Sequence, residues 1–359
     1  MLKIKIFLGL LFLHVNLFAQ KNNNQLPKSY VCYHTTEKLQ IDGELQEPNW
    51  QNTPWTETFV DIEGDKKPLP LFETKVKMLW DNDYLYIAAF LEEPHLWATY
   101  DQRDMVIFHE NNFEVFIDPD GDTHQYYEFE INALETFWDL MLMKPYRDGG
   151  SAVNSWDIKG LKKAVKLNGT LNDGSDTDTS WVVEMAFPWE VLKECAPKGR
   201  KPSSGEYWRV NFSRVKWKTE WKSNKYIKVL NPETGKAFPE FNWVWSPQGV
   251  INMQQPETWG YLQFSNKEPS KELKKETFEI PEVEAVKMML RKLYYLQQEK
   301  FHENESYFIK KEDLQKELNH SANYDYTLIG GQTWYRITIV FQGDKWVIRE
   351  DGKIWNENL

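Results

Sequence analysis

Apolar residues at alternate positions recur along the first two thirds of the chain and predict β-strands. In the stretch TKVKMLWDNDYLYIAAFLEEP, Val76, Met78 and Trp80 occupy alternate positions. After an Asp-Asn-Asp turn, the alternation resumes at Leu85 and Ile87. Two alternating runs around a short polar turn are typical of a β-hairpin.

A second hairpin is predicted at residues 111–132, with the sequence NNFEVFIDPDGDTHQYYEFEIN. Its two runs flank an Asp-Pro-Asp-Gly-Asp turn. Successive side chains of a strand point to opposite faces, so Phe113 and Val115 share one face with Ile117. Glu114 and Phe116 are therefore expected on the other face.

The remaining pattern predicts a mainly β protein with a small C-terminal unit. Strand-like segments continue through SWVVEMAFPWEVL, EYWRVNFSRVKW and TWGYLQF, and helical periodicity is absent before residue 280. Short strands at steady spacing predict an antiparallel β-sandwich over residues 35–264, which we expect to fold without the tail. Residues 265–282 are charged and bounded by prolines, which is typical of a linker.

Residues 283–359 are predicted to form a small α+β unit, a helix followed by short antiparallel strands. The apolar residues of VEAVKMMLRKLYYLQQEKF recur at helical spacing. The later segment TWYRITIVFQGDKWVIREDGKIW contains Gly-Asp and Asp-Gly turns between apolar runs. This unit shows no motif of its own for catalysis or metal binding.

The N-terminal sequence predicts export. Lys3 and Lys5 precede an apolar run and the sequence LFAQ, which together predict a signal peptide at residues 1–19. Residues 20–34 are polar at first and are predicted to be disordered. The apolar run is too short for a membrane span, so we expect a protein with no membrane span, located in the periplasm or secreted.

Composition narrows the classes of partner. The net charge of -11 argues against nucleic acid and anionic membranes, and it suits a neutral ligand or a bound cation. The chain has 17 Trp, 17 Tyr and 20 Phe, a load that suggests stacking surfaces in addition to core packing. Cys32 and Cys195 could form a disulfide in an oxidising compartment, or could remain separate thiols.

Seven sequence strings occur in one order and carry a resemblance. They are IDGELQEPNW, VKMLWDNDYLYIAAFLEEP, NNFEVFIDPDGD, YEFEIN, WVVEMAFPWEVL, WRVNFSRVKW and PETWGYLQF. Together they resemble the family 9 carbohydrate-binding module, a member of the DOMON-like sandwiches, and most of all its exported Bacteroidetes type. The resemblance covers Thr35 to Phe264. It implies a non-catalytic, glycan-binding β-sandwich, with structural calcium in some members, that works beside polysaccharide-degrading enzymes.

The resemblance also implies a sugar site. In the family, two Trp rings sandwich a terminal sugar and a Glu binds its hydroxyls. Glu114 falls on that Glu, Phe108 on the first ring position, and Met253 near the second. Glu130 stands where the family has a cationic residue. Trp243, Trp245 and Trp259 are alternative sources of the second ring.

Sugar recognition needs an apolar platform and forked polar groups. The predicted ligand-binding residues are Phe108, Glu114, Trp138, Asp139 and Arg214. For Trp138 the alternative is core packing. For Arg214 the alternative is a salt bridge to Glu114 or Glu130.

The acidic residues leave two further possibilities open. Glycoside hydrolysis needs two carboxyl groups across the sugar, and Glu114, Glu128, Glu130 and Asp139 offer several pairs, although nothing assigns one acid and one base. A hydrolase is therefore the alternative to a binding protein. A third class is a structural or partner-binding envelope protein.

The turn between the two strands of the second hairpin is acidic. Asp118, Asp120 and Asp122 lie at i, i+2 and i+4 around a glycine, a spacing that suits an oxygen-binding cation such as calcium. The alternative is an Asp-rich hairpin turn without a metal.

Overall fold

The computed structural model describes residues 26–271, 276–318 and 324–358. The predicted signal peptide lies outside the described residues. Four α-helices occur within them, and the two longest belong to the C-terminal unit. The helices are α1 Pro48–Asn52, α2 Trp189–Leu192, α3 Glu282–Asn304 and α4 Lys311–Glu317. No helix in these three ranges is both long and apolar enough to cross a membrane.

Strands dominate the rest of the described chain. The strands before α3 are β1 Ser29–His34, β2 Val60–Asp61, β3 Thr74–Trp80, β4 Tyr84–Glu92, β5 Asn112–Asp118, β6 Tyr126–Ile131, β7 Phe137–Leu142, β8 Ala152–Val153, β9 Lys162–Asn168, β10 Ser180–Pro188, β11 Tyr207–Lys216, β12 Thr219–Lys222, β13 Lys225–Lys228, β14 Phe241–Val244 and β15 Gly260–Ser265. Those of the C-terminal unit are β16 Thr327–Gly330, β17 Tyr335–Phe341, β18 Asp344–Arg349 and β19 Ile354–Asn356.

Among the described residues, thirteen strands join into one curled sheet. Its order is β8-β7-β6-β5-β11-β15-β1-β3-β4-β10-β9, with β14 paired to β11 and β2 paired to β14. Neighbours are antiparallel except that β1 runs parallel to both β15 and β3. Side chains from the two halves, such as Val115 on β5 and Val183 on β10, meet in one core. The fold is therefore the predicted mainly β sandwich.

The predicted face of β5 is confirmed. Phe113, Val115 and Ile117 are at most 1% exposed and belong to the main core. Many of the tryptophans are also buried in the folded protein. Trp243, Trp245 and Trp259 are buried, so they form no exposed ring for a second stacking position.

The prediction of disorder up to residue 34 is wrong for residues 29–34. The segment SYVCYH forms β1, between β15 and β3, and places Tyr30 and Cys32 in the main core. Its aromatic and β-branched residues supply that burial, while the polar residues before it hide the strand signal. Cys32 and Cys195 are free thiols in the structure, so the predicted disulfide is not formed.

The C-terminal unit packs α3 against a four-stranded sheet of order β16-β17-β18-β19. The predicted helical face is buried at Val286, Leu290 and Leu293. Part of the predicted linker also contacts the sandwich, because the ring of Phe278 lies 5.3 Å from that of Tyr261. The unit therefore rests on the sandwich instead of hanging from a free linker.

Candidate functional site

One row of side chains crosses the outer face of the sheet. The register pairs Ser213 of β11 with Glu114 of β5, Glu114 with Glu130 of β6, and Glu130 with Trp138 of β7. Paired residues of neighbouring strands point to the same face. Two carboxyl groups are thus held side by side on rigid strands, between a hydroxyl and an indole ring.

The next row on the same face adds a third carboxyl group. Glu128 pairs with Phe116 on β5, two residues along from Glu130 and Glu114. A cavity of about 210 Å³ opens over these residues. Its lining residues are Ile62, Phe108, Glu114, Phe116, Glu128, Glu130, Val215, Glu240, Asn242, Ile251, Asn252 and Met253. The structure thus brings Phe108, Glu114 and Met253 together, as the resemblance implies.

Phe108 stands at the rim of this cavity. It lies in a 3-10 turn, Ile107–His109, just before β5, and its side chain is 37% exposed. Its backbone N–H donates to the carboxylate of Glu130 at 2.8 Å, and its carbonyl accepts from the indole of Trp217 at 3.0 Å. The ring is therefore accessible, and the backbone that carries it is held in place by hydrogen bonds on both sides.

The three glutamates accept hydrogen bonds from neutral groups. The Asn112 amide donates to Glu114 at 3.1 Å and to Glu130 at 3.4 Å. The Gln254 amide donates to Glu128 at 2.9 Å. No Lys, Arg or His is among the described residues that line the cavity. The charge on these carboxylates has no cationic partner there.

Burial and mutual repulsion raise the pKa values of these glutamates above that of an ordinary glutamate. Burial raises the pKa of Glu114 to about 7, although hydrogen bonds from Asn112 and Ser213 oppose the rise. Burial, followed by the charge of Glu114, raises the pKa of Glu128 to about 8. Burial together with Glu114 and Glu128 raises the pKa of Glu130 well above its usual range. Near neutral pH the site can therefore hold protons and both donate and accept hydrogen bonds.

Trp138 and Asp139 lie on opposite faces of β7. Trp138 shares the face of Glu130 but packs against the buried cluster that contains Phe116 and Trp259, and it does not line the cavity. Asp139 is fully buried on the core side. It accepts from the Arg103 guanidinium at 2.8 Å and from the backbone N–H of Ile158 at 2.6 Å. The prediction that Asp139 joins this site is wrong in geometry, because its carboxyl anchors a loop on the other side.

Arg214 is also on the opposite face from Glu114. Its register partner is Phe113, and its side chain is 1% exposed. The guanidinium pairs with the Glu93 carboxylate at 3.0 Å and contacts the Thr74 hydroxyl at 3.0 Å. Arg214 therefore forms a buried salt bridge, with a partner other than the two glutamates expected from the sequence. It cannot reach a ligand in this cavity.

The acidic turn of Asp118, Asp120 and Asp122 offers carboxylate oxygens as ligands for a cation, and Lys353 lies next to one of them. Ligand oxygens of Asp118, Asp120 and Asp122 lie within 4.8 Å of one another. Asp118 accepts from two backbone N–H groups of the turn, each at 3.0 Å. Asp122 pairs with Lys353 Nζ of the C-terminal unit at 2.8 Å. Three clustered carboxylates suit calcium, and Lys353 supplies positive charge at the same place.

Sequence reasoning missed half of the cavity wall. Glu128 and Glu130 are two residues apart on one strand and so share a face, but only the register with β5 places them beside Glu114. Glu240 immediately precedes β14 and Asn242 is its second residue, far along the chain from β5 and β6. Alternation in EFNWVW was the available signal for that strand.

The chain is similar to known carbohydrate-active proteins. Residues 41–207 match the family described as carbohydrate family 9 binding domain-like. Endo-1,4-beta-xylanase A of Thermotoga maritima is 28% identical over 155 residues, which are 43% of this chain and 12% of that enzyme. Exoglucanase XynX of Acetivibrio thermocellus is 27% identical over 116 residues, which are 32% of this chain and 9% of that enzyme. The chain thus matches only a small part of each enzyme's length.

Solved structures of two carbohydrate-binding proteins align with about two thirds of this chain. A family 9 carbohydrate-binding module from Caldicellulosiruptor kristjanssonii in complex with cellotriose aligns with 69% of this chain and all of its own, at 15% identity and a TM-score of 0.40. A protein from Bacteroides uniformis that has been proposed to bind carbohydrate aligns with 66% of this chain and 99% of its own, at 17% identity and a TM-score of 0.46. Residues 41–207 of this chain are thus similar to the carbohydrate family 9 binding domain-like family.

Proposed function

We propose that this protein is an exported, non-catalytic glycan-binding protein that works beside polysaccharide-degrading enzymes. The observation that carries the proposal is one cavity that combines an exposed, fixed Phe108 ring with the buried carboxyl groups of Glu114 and Glu130. The family match and the xylanase relatives support a glycan as the ligand class. The basic and apolar sequence of residues 1–19 supports export.

The cavity suits a sugar on both of its chemical sides. The C–H face of a pyranose can stack on the Phe108 ring, while its hydroxyls meet the carboxyl groups behind it. Stacking plus one charge-assisted hydrogen bond contributes roughly 2–4 kcal/mol. That range corresponds to a weak site, of about micromolar to millimolar dissociation constant once the remaining contacts are added.

The ligand of this cavity is a neutral sugar. The lining holds four carboxyl groups, of Glu114, Glu128, Glu130 and Glu240, and no cation among its described residues. A uronic acid would bring another negative charge into a buried site that already raises its own pKa values. Neutral hydroxyls can instead accept hydrogen bonds from the protonated glutamates.

A hydrolase is the second candidate, because four carboxyl groups line the cavity and two of them, those of Glu114 and Glu128, have pKa values of about 7 and about 8. A glycosidase needs one protonated and one ionised carboxyl group, with environments that push the two pKa values apart. Here burial shifts the pKa values of Glu114, Glu128 and Glu130 in the same direction, upward. The arrangement therefore favours binding over hydrolysis.

A glycan array on the purified chain tests the binding proposal, and a turnover assay on the same glycans tests the alternative. Binding of neutral glycans without product release is the expected result. Release of reducing sugars that stops in Glu114→Gln would establish the hydrolase instead. Cell fractionation and sequencing of the mature N-terminus test export.

A further inference from the structure

A large groove lies between the two ends of the curled sheet. One end is β7 with β8, and the other is β9. The groove has a volume of about 1110 Å³, against about 210 Å³ for the cavity at Glu114. Its lining includes Phe137 at the start of β7, and Lys162 and Lys163 at the start of β9. The groove therefore follows the open edge of the sandwich.

Trp156 forms a rigid platform in this groove. Its ring stacks on that of Tyr127, with centroids 4.7 Å apart and planes 17° apart. Its indole N–H donates to the Glu194 carboxylate at 3.1 Å. Tyr127 is 2% exposed, and its hydroxyl accepts from the backbone N–H of Cys195 at 3.0 Å. One indole face is thus fixed against the core, and the ring lines the groove with the other.

Polar groups of both signs surround this platform. Lys163 pairs with Glu135 at 2.8 Å, which joins the β9 end to the β7 end. Arg103 contacts Asp157 at 2.5 Å. The lining contains four cationic and four anionic residues: Arg103, Lys159, Lys162 and Lys163, and Glu135, Asp157, Glu190 and Glu194. Their formal charges cancel, and all of them can hydrogen-bond to hydroxyls.

We propose that this groove is a second binding site, which takes a segment of a neutral polysaccharide chain with a sugar ring stacked on Trp156. A fixed aromatic face with balanced polar groups matches the alternating C–H and hydroxyl surfaces of a sugar. The volume is that of a site for a ligand larger than a single sugar. The groove shares its ligand class with the proposed function, but it uses none of the residues of the Glu114 cavity.

Two sites on one domain would act together on a long glycan. When one polysaccharide chain reaches both sites, the second contact becomes intramolecular and the apparent affinity rises by avidity. A monosaccharide cannot span the two sites and gains nothing. The groove thus predicts that affinity increases with the length of the glycan.

The test is a titration of the full mature chain with cellohexaose and, separately, xylohexaose, followed by the indole N–H resonances in NMR spectra. The expected result is a ligand-dependent shift of the Trp156 resonance, both in the wild type and in Glu114→Ala. Trp156→Ala should lower the affinity for the hexasaccharide at least threefold. Trp334→Ala, which removes a ring 49% exposed in the C-terminal unit, is the matched control and should change nothing.

The two proposals fail in different ways. A Trp156 resonance that stays fixed with both hexasaccharides overturns the groove site, whether or not the Glu114 cavity binds. Shifts at Trp156 with no effect of Glu114→Ala on a bound monosaccharide would retain the groove and overturn the cavity. The wild-type titration decides the groove even where Trp156→Ala fails to fold, because it needs no substitution.

Discussion

Glu114 on β5 and Glu130 on β6 lie directly opposite each other across the antiparallel ladder, and they are only 4% and 1% exposed. Like charges in directly opposed positions destabilise a sheet, and burial adds a desolvation cost. Buried carboxyl groups usually have a cationic partner, and the cavity lining supplies none among its described residues. This pair therefore costs stability, a cost that the proposed role in glycan binding would explain.

The first prediction is that stability falls as pH rises through the neutral range. The pKa of Glu114 is about 7 and that of Glu128 about 8 in the folded protein, against 4.5 for an ordinary glutamate. The folded state therefore binds more protons than the unfolded state from about pH 4.5 upward, so each rise in pH costs folding free energy until both groups are ionised, which for Glu128 happens above pH 8. We expect the melting temperature to be lower at pH 8.5 than at pH 5.5.

Replacing one of these carboxyl groups should reduce the loss of stability at high pH. Glu128→Gln should raise the free energy of unfolding at pH 8.5 by on the order of 1–3 kcal/mol, and much less at pH 5. Glu220→Gln, at an exposed position, is the control and should show no such pH dependence. Thermal melts at the two pH values measure it. Equal melting temperatures for Glu128→Gln and wild type at pH 8.5 would contradict the burial of an ionisable group here.

The second prediction concerns glycan affinity. Glu114→Ala and Phe108→Ala should each weaken binding of the best array glycan at least tenfold, about 1.4 kcal/mol, because each removes one of the two kinds of contact. Phe108→Ala should fold normally, since its ring is 37% exposed at the rim. Phe241→Ala is the matched control, with a ring 39% exposed. Its neighbours Glu240 and Asn242 line the cavity, so alternation turns Phe241 to the opposite face.

Calorimetric titration beside a thermal melt of each variant gives the answer. Wild-type affinity in both Glu114→Ala and Phe108→Ala would move the glycan to another surface. Loss of affinity in Phe241→Ala as well would point to a general loss of structure.

The third prediction concerns the Asp turn, where we propose that calcium and Lys353 compete for Asp122. Burial and the neighbouring carboxylates raise the pKa of Asp118 well above its usual range and that of Asp120 to about 7, so the cluster gains from any positive charge. Millimolar calcium should raise the melting temperature by mass action, and by more in Lys353→Met than in the wild type. Melting curves that coincide in calcium and in chelator, for both proteins, would leave a metal-free turn.

The sequence predicts the faces of single strands better than it predicts the partners of those strands. Alternation alone puts Phe113 in the core and Glu114 outside, and the structure agrees. The same alternation implies that Trp138 and Asp139 cannot share a site, because neighbours on a strand point to opposite faces. The placement of Arg214 could not be predicted from alternation within its own strand. It depends on the pairing of Ser213 with Glu114, which turns Arg214 inward to Glu93, and local sequence does not determine the register between strands.

The C-terminal unit makes buried polar contacts with the sandwich. The hydroxyls of Tyr207 and Tyr261 on the sandwich donate to Glu284 of α3, at 2.8 and 3.0 Å. Glu257 of the sandwich pairs with Arg147 at 3.0 Å and accepts from the hydroxyl of Tyr295 of α3. Burial opposes ionisation of Glu257, yet Arg147 and the other partners lower its pKa to about 2. These buried charges depend on α3 to remain shielded from water.

The last prediction is therefore that truncation after Asn266 destabilises the sandwich. Removing α3 strips Tyr295 from Glu257 and leaves Tyr207 and Tyr261 without their acceptor, and each such hydrogen bond to a charged group is worth about 1.5–3 kcal/mol. The truncated chain should melt well below the full mature chain. In the full chain, Tyr295→Phe should lower the free energy of unfolding by about 1–3 kcal/mol, while Tyr324→Phe, in the same unit and away from these charges, is the control. A truncated sandwich with the melting temperature of the full chain would show that the tail is an independent module after all.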